Sequence, residues 1–198
     1  MSVRFVAAAS VSADGYLAGP GGDMSWLAPF VGEDPAHPAD PNPILERLQA
    51  ETTALLCGAT TFFGDDPNRG DPDKEGAFGG EWRGSVVVLT HRPPAGAGEV
   101  TVTKEGELRF ATTLDAAVEL AEREAADGVV NVLGASVTDQ LLVAGRLDEI
   151  IVNVVPILLG GGTRFLSPDG ARPALTQLDA NVDGGSVTVR YGVARAPR

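Results

Sequence analysis

Short runs of β-branched and aliphatic residues recur along this chain, and most of them stop at glycine, serine or threonine. Ser85–Leu89 (SVVVL) and Val129–Leu133 (VVNVL) are too short for a buried helix and lack the alternation of a half-exposed strand. They predict strands covered on both faces, as in a parallel sheet. Val3–Ser10, Thr53–Cys57 and Ile150–Val155 read the same way, and Glu99–Thr103 and Leu108–Ala111 give weaker strands. Helical patterns fall between them. Ile44–Glu51 follows Asn42-Pro43, a cap and first turn, and Leu114 to about Ala126 follows Thr113, a capping residue whose helix carries the stripe Ala117, Val118, Leu120 and Ala121. Thr60–Phe63 starts a short helix, and another runs from Gly134-Ala135-Ser136 to near Gly145. The tail, Ala174–Ala180 with Ser186–Tyr191, predicts a closing antiparallel pair. The expectation is an α/β fold of one domain spanning 1–198, a mostly parallel mixed sheet with helices on both faces. Gly64–Gly84, crowded with Gly, Pro and Asp, reads as a long mobile loop and a candidate lid carrying Phe78 and Trp82.

Composition narrows the function. With 198 residues and 43% apolar content the chain can bury a core without staples. One cysteine, Cys57, allows no internal disulfide, and no His/Cys cluster offers a metal site, so a reducing cytoplasm is the expected compartment. The N-terminal apolar run meets Asp14 too soon for a secretory segment, and no stretch is long enough to span a bilayer. At a formal charge of −12, without a basic cluster, the surface repels nucleic acid, although a small anion can still bind in a locally positive pocket.

Three strand-to-helix junctions carry groups suited to phosphate. Gly134-Ala135-Ser136 offers a helix N-terminus and a glycine that admits close approach, or else a tight turn with Ser136 as an ordinary cap. Gly58-Ala59-Thr60-Thr61 repeats the arrangement with hydroxyl donors. Leu89-Thr90-His91-Arg92 ends a central strand with a hydroxyl, an imidazole and a guanidinium, donors that suit the 2′-phosphate of NADPH or else form a solvated loop. Ligands of open α/β sheets gather at the carboxyl edge, so the three junctions together point to a dinucleotide. Asp14, in Ser12-Ala13-Asp14-Gly15-Tyr16, is expected to accept hydrogen bonds from a heterocycle or to hold a raised pKa and supply a proton; the other reading is an Asp-Gly turn. Trp26, Phe62, Phe63 and Phe78 line an apolar pocket or belong to the core. His37, among prolines, reads as exposed, and Asp148-Glu149 as the anchor of a strand entrance.

The order of these motifs, from Ser12-Ala13-Asp14-Gly15-Tyr16 through Gly58-Ala59-Thr60-Thr61, Val87-Val88-Leu89-Thr90 and Val132-Leu133-Gly134-Ala135, resembles the riboflavin-biosynthesis reductase C-terminal-domain family. Leu142–Glu149 and Pro156-Ile157-Leu158-Leu159-Gly160-Gly161-Gly162 complete the resemblance, which covers nearly the whole chain. It implies a dihydrofolate-reductase-like fold, NADPH as cofactor, a pyrimidine-, pterin- or flavin-like substrate and a homodimer, with Ile150–Val155 and the antiparallel tail as candidate dimer faces. It implies that Gly134, Ala135, Ser136 and Val137 contact the diphosphate, that Ala9, Gly58, Thr60 and Thr61 lie along the cofactor, and that Leu89, Thr90, His91 and Arg92 meet the 2′-phosphate. It places Leu158, Leu159 and Gly160 beside the nicotinamide, and Asp14, Gly15, Trp26 and Phe62 toward the substrate. The zinc deaminase that precedes this domain in bifunctional relatives has no counterpart in the motifs, and Ala8 stands where the family tends to carry lysine. The same fold binding NADP(H) or another small molecule without turnover is the alternative.

Overall fold

The computed structural model describes residues 3–30, 42–64, 82–94, 101–103, 106–183 and 185–194. Its organising element is a nine-stranded sheet. In chain order the elements are β1 (Arg4–Ser12), β2 (Tyr16–Ala18), α1 (Pro43–Glu51), β3 (Thr52–Gly58), α2 (Ala59–Phe63), β4 (Ser85–Leu89), β5 (Thr101–Thr103), β6 (Gly106–Ala111) and α3 (Leu114–Ala125). They continue with β7 (Val129–Leu133), α4 (Ala135–Val143), β8 (Glu149–Val155), β9 (Thr163–Arg164), β10 (Leu175–Asp183) and β11 (Ser186–Val193). The large sheet runs β10-β11-β8-β1-β7-β3-β4-β6-β5, and β2 pairs with β9 in a small antiparallel sheet. From β8 to β6 every neighbouring pair is parallel, whereas β10, β11 and β5 pair antiparallel.

The side-chain alternation of the strands divides the core between two faces. Phe5, Ala7, Ala54, Leu56, Val87, Val130 and Val132 pack under α3 and α4, while Val6, Val129 and Ile151 meet Ile44 and Leu48 of α1. Beyond α1 on that second face, Leu55, Cys57, Val86, Val88 and Leu108 pack with Phe62, Trp82 and Phe110. Helices therefore cover both faces, which is why the parallel strands read as unbroken apolar runs. Burial also pushes the Cys57 thiol up to about 12, so it is an inert core residue.

Local signals act as expected at the helix starts. The Asn42 side chain accepts from the amides of Ile44 and Leu45, and Thr113 accepts from Ala116 at 3.3 Å. The candidate dimer strand is a different matter. Ile150–Val155 lies within β8, hydrogen-bonded on one side to β1 and on the other to β11, so it offers no free edge. The outer strand on this side is β10. The proposed lid lies mostly outside the described residues, as do Phe78 and His37.

Asp148 and Glu149 do anchor a strand entrance. Asp148 accepts from the Phe5 amide at 2.9 Å, joining the start of β8 to β1. Glu149 takes both oxygens to Arg190, at 2.6 and 2.9 Å, and a third bond from Arg4 at 2.7 Å; Arg4 also reaches Glu51 at 2.6 Å. Burial alone pushes the Glu149 carboxyl up, but the guanidiniums of Arg190 and Arg4 outweigh it and leave the group below the usual glutamate range. As pH falls the unfolded chain therefore takes up this proton first. The stabilisation is complete above the ordinary glutamate range and is lost as pH drops below it. Glu149→Gln should cost about 2 kcal/mol at neutral pH, less than a wholly buried pair because Arg4 is partly exposed. In thermal melts the wild type should lose its advantage over this variant as pH falls below the ordinary glutamate range; an advantage that does not change with pH would contradict the assignment.

Candidate active site at the carboxyl edge of the sheet

Parallel pairing from β8 to β6 brings the carboxyl ends of β8, β1, β7, β3 and β4 to one edge. The loops leaving those ends carry nearly every residue singled out from the sequence.

At the centre, the turns after β7 and β3 pack on each other. Gly134 caps α4 at φ 93°, ψ 149° and Gly58 caps α2, neither with a side-chain hydrogen bond to the helix. A Cβ on Gly134 would collide with the Thr61 hydroxyl, and one on Gly58 would sit 3.3 Å from the Val137 methyl. The first-turn amides of α4 consequently have no intrahelical partner and no side-chain cap, the condition under which a helix N-terminus attracts an anion. Ser136 is the second residue of the helix and not its cap, and its exposed hydroxyl lies 3.3 Å from the Gln140 amide nitrogen. Val137 is buried, so only its backbone can face a ligand. Ala135 is half-buried, and Thr60 and Thr61 are exposed.

One strand further out, Leu89 and Thr90 are buried whereas His91 and Arg92 are exposed. The Thr90 amide bonds the Ala111 carbonyl at 2.9 Å, and its hydroxyl accepts from the Arg92 amide at 3.2 Å. Thr90 thus shapes the turn. The Arg92 guanidinium has no carboxylate partner among the described residues.

On the other flank, Asp14 departs from its expected chemistry. Its Oδ1 accepts from the Ser12 hydroxyl at 2.6 Å and the Leu159 amide at 3.1 Å, and its Oδ2 accepts from the Gly160 amide at 2.8 Å. The Ser12 hydroxyl, together with the Gly160 and Leu159 amides, holds the Asp14 carboxyl down at about 2. The shift is thus opposite to the raised pKa expected from the sequence, and the hydrogen bonds favour the ionised carboxylate. What the carboxylate does is tie the turn after β8 to the end of β1. The tie is completed by Gly162, at φ 118°, where any Cβ would strike the Ala18 carbonyl. Gly15 is half-buried in the same turn, and Leu158 is 74% exposed.

Two substrate-side expectations change. Phe62 meets Phe63 and Phe110 edge-on, at 5.0 and 6.5 Å between centroids, so it belongs to the cluster near β6 and not beside Asp14. Trp26 is buried in the short 3-10 helix Ser25–Phe30, so its ring is core. Ala9 stands inside β1 opposite Val152 and packs on the core below the edge. Two residues escaped sequence reasoning. Ser12, buried, donates to Asp14 and accepts from the Tyr16 amide at 3.0 Å, a role its place in the turn motif hints at. Arg164 reaches back across the turn to Asp14 and Tyr16, with no local signal to mark it.

This is the carboxyl edge of a dihydrofolate-reductase-like sheet. The RibD C-terminal domain model matches residues 4–189, and the chain belongs to that family. Among solved structures, it is similar to a protein of Shewanella sp. PV-4 assigned to riboflavin biosynthesis, with TM-score 0.72 at 17% identity over 97% of this chain and 99% of that one. It is similar to the bifunctional deaminase/5-amino-6-(5-phosphoribosylamino)uracil reductase of Thermotoga maritima, TM-score 0.65 at 16% identity, where it covers 98% of itself and 57% of that longer protein. Dihydrofolate reductase from Enterococcus faecalis, solved with NADP(H), gives TM-score 0.57 at 16% identity over 96% of each chain. No curated protein matches the chain significantly. Among the described residues no group of His, Cys, Asp and Glu is placed to hold a metal, and no helix is long and apolar enough to cross a membrane.

The packed turns make a stability prediction. Gly145, at φ 64° with open space around it, reports backbone strain alone, whereas Gly134 adds a steric clash. By denaturant unfolding, Gly145→Ala should cost about 1 kcal/mol and Gly134→Ala about 3 kcal/mol; equal costs would mean that the turns do not touch.

Proposed function

We propose that this protein is an NADPH-dependent reductase that delivers a hydride to a small heterocycle of pyrimidine, pterin or flavin type. The observation that carries the reading is the pair of interlocked, uncapped turns at Gly134 and Gly58, with Arg92, which has no carboxylate partner among the described residues, one strand away. The residues present fit the cofactor: glycine carries no side chain beside the first-turn amides of α4, and the exposed Arg92 guanidinium, one strand away, offers paired donors suited to an ester phosphate.

NADPH supplies the hydride, so the protein's task is to bind, orient and exclude water. The amides of Ala135, Ser136 and Val137 hold the diphosphate. Arg92 and His91 hold the 2′-phosphate, and Thr90 holds the turn that presents them. Asp14 keeps the Leu159–Gly160 turn in place at the nicotinamide side. It remains ionised at neutral pH, so the proton that balances hydride transfer comes from water or from the substrate itself. That same feature favours the second reading, a protein of this fold that binds NADP(H) without turnover.

The reading extends to a homodimer in a reducing cytoplasm. Supporting it, β10 is an outer strand of nine residues, and pairing register puts Leu175, Val182 and Val187 on one face, 44%, 74% and 38% exposed. Sedimentation should give a dimer that Val182→Lys weakens. A wild-type monomer would remove that part of the reading.

Fluorescence titration with NADPH tests binding, and loss of nicotinamide absorbance across pterins, flavins and pyrimidines separates enzyme from binder. Arg92→Gln should raise the NADPH Kd about tenfold and leave NADH unchanged. If NADPH does not bind the wild type, the reductase reading fails, and of the alternative only a protein binding another small molecule is left.

A further inference from the structure

Between the apolar cluster under α1 and the carboxyl edge, the same face of the sheet carries a line of polar side chains. Register places Ser10 of β1 opposite Asn153 of β8, and Asn153 opposite Thr188 of β11, so the three share one face. Asn42, the cap of α1, donates through Nδ2 to the Thr188 hydroxyl at 2.7 Å. Thr188 donates to Asn153 Oδ1 at 3.0 Å, and Asn153 Nδ2 donates to the Ser10 hydroxyl oxygen at 3.2 Å. Thr188 and Asn153 are buried, whereas Ser10 is half-buried.

The direction of this chain is set at its far end. Asn42 Oδ1 accepts from the backbone amides of Ile44 and Leu45, so the NH2 end of Asn42 is the one that faces Thr188. The Thr188 oxygen therefore accepts there, and its single hydrogen goes to the carbonyl end of Asn153. That leaves the NH2 end of Asn153 for Ser10. Every bond points the same way, and in such a series each bond strengthens the next. At its end the Ser10 oxygen already accepts, and among the described residues nothing accepts from its hydrogen.

That hydrogen lies beside the candidate active site. Along β1 the same face carries Ala8, which packs under α1, then Ser10, then Ser12, which donates to Asp14. The cap of α1 sits over β11, two strand spacings or about 10 Å from β1, which leaves Ser10 half covered. The neighbouring groups offer no hydrogen of their own here, because the Ser12 hydroxyl and the Leu159 and Gly160 amides all donate to the Asp14 carboxylate.

We propose that Ser10 is a substrate-binding residue whose hydroxyl donates to a neutral acceptor of the ring to be reduced, a carbonyl oxygen or an unprotonated ring nitrogen, and that Asn42, Thr188 and Asn153 are positioning residues that keep it a donor. The proposal rests on the reductase reading above and names the kind of atom the site recognises. The hydrogen stays on Ser10 throughout. The opposing possibility is that the chain only ties α1 to β8 and β11, in which case losing a member lowers stability and leaves ligand affinity alone.

Neutron diffraction from the protein in D2O should show the Thr188 deuteron aimed at Asn153 Oδ1 and the Ser10 deuteron aimed away from the protein. A Ser10 deuteron on a main-chain carbonyl, or an Asn153 amide turned the other way, overturns the proposal. Calorimetry with 6-methyl-7,8-dihydropterin, riboflavin and uridine, with and without saturating NADP+, then compares wild type, Ser10→Ala, Thr188→Val, Thr188→Ser and the double variant Ser10→Ala/Thr188→Val, with thermal melts alongside. The wild type should bind at least one ring. Ser10→Ala should weaken that binding about tenfold and Thr188→Val about threefold, while Thr188→Ser restores it. In the Ser10→Ala background Thr188→Val should have no further effect, and the NADPH Kd should be the same in every variant. Unchanged affinity in Ser10→Ala, or a Thr188→Val effect that persists without the Ser10 hydroxyl, overturns the proposal, as does a wild type that binds NADPH but none of the three rings. Should Thr188→Val not fold, Ser10→Ala against Thr188→Ser still decides. A wild type that does not bind NADPH sinks the reductase reading instead, and the neutron map with the titrations lacking NADP+ still scores Ser10.

Discussion

The carboxyl edge of this sheet depends on the contact between Gly134 and Thr61. Two parallel strands, β7 and β3, each hand the chain to a helix, and the two crossovers can converge only if one turn lacks a side chain. Gly134 meets that condition twice over, since its φ of 93° is also poorly open to other residues. With the turns in contact, Val137 lies against Gly58, and α4 begins without a side-chain cap. The uncapped start of the helix is therefore a consequence of how the crossovers pack.

Charge is distributed unequally between the two ends of the parallel strands. At the amino end, Arg4, Arg190, Glu51 and Glu149 satisfy one another, with Glu149 bridged by both arginines. At the carboxyl edge, Arg92 and Arg164 have no carboxylate partner among the described residues. A closed network stiffens the junction of α1, β1, β8 and β11, whereas bare guanidiniums leave the edge receptive to anions. Against a surface of net negative charge, such local inversions decide where a phosphate or carboxylate comes to rest.

What could be read from the sequence was what neighbouring residues determine. Ser85–Leu89 and Val129–Leu133 emerge as strands with those same bounds, because a short β-branched run closed by a turn has few other uses. Asn42 and Thr113 cap their helices for equally local reasons. Strand order was not legible in detail. Ile150–Val155 reads as a buried strand, but nothing in it says that its neighbours are β1 and the antiparallel β11. Phe62 carries no sign of the distant Phe110 that claims it, and Arg164 none of Tyr16, 148 positions earlier. Asp14 was recognisable as important, but its three donors come from Ser12 close by and from a turn more than a hundred residues away. The Ser12 hydroxyl first, and then the amides of that returning turn, reverse the expected direction of its pKa.

The state of Asp14 constrains any reduction at this edge. A carboxylate that accepts from a hydroxyl and two amides is stabilised in its charged form, and protonating it would disrupt the bonds that hold the Leu159–Gly160 turn. A proton donor and a structural tie make opposite demands on one group, and the geometry satisfies the second. Hydride transfer here would thus be limited by how well the turn is held and how the substrate is seated. The group that orients the substrate and the group that protonates it need not be the same. Asp14 fixes the platform, and Arg164, anchored to the Asp14 carbonyl, extends it by a positive charge. The bonds made by Asp14 thus suit a group that holds a turn better than one that gives up a proton.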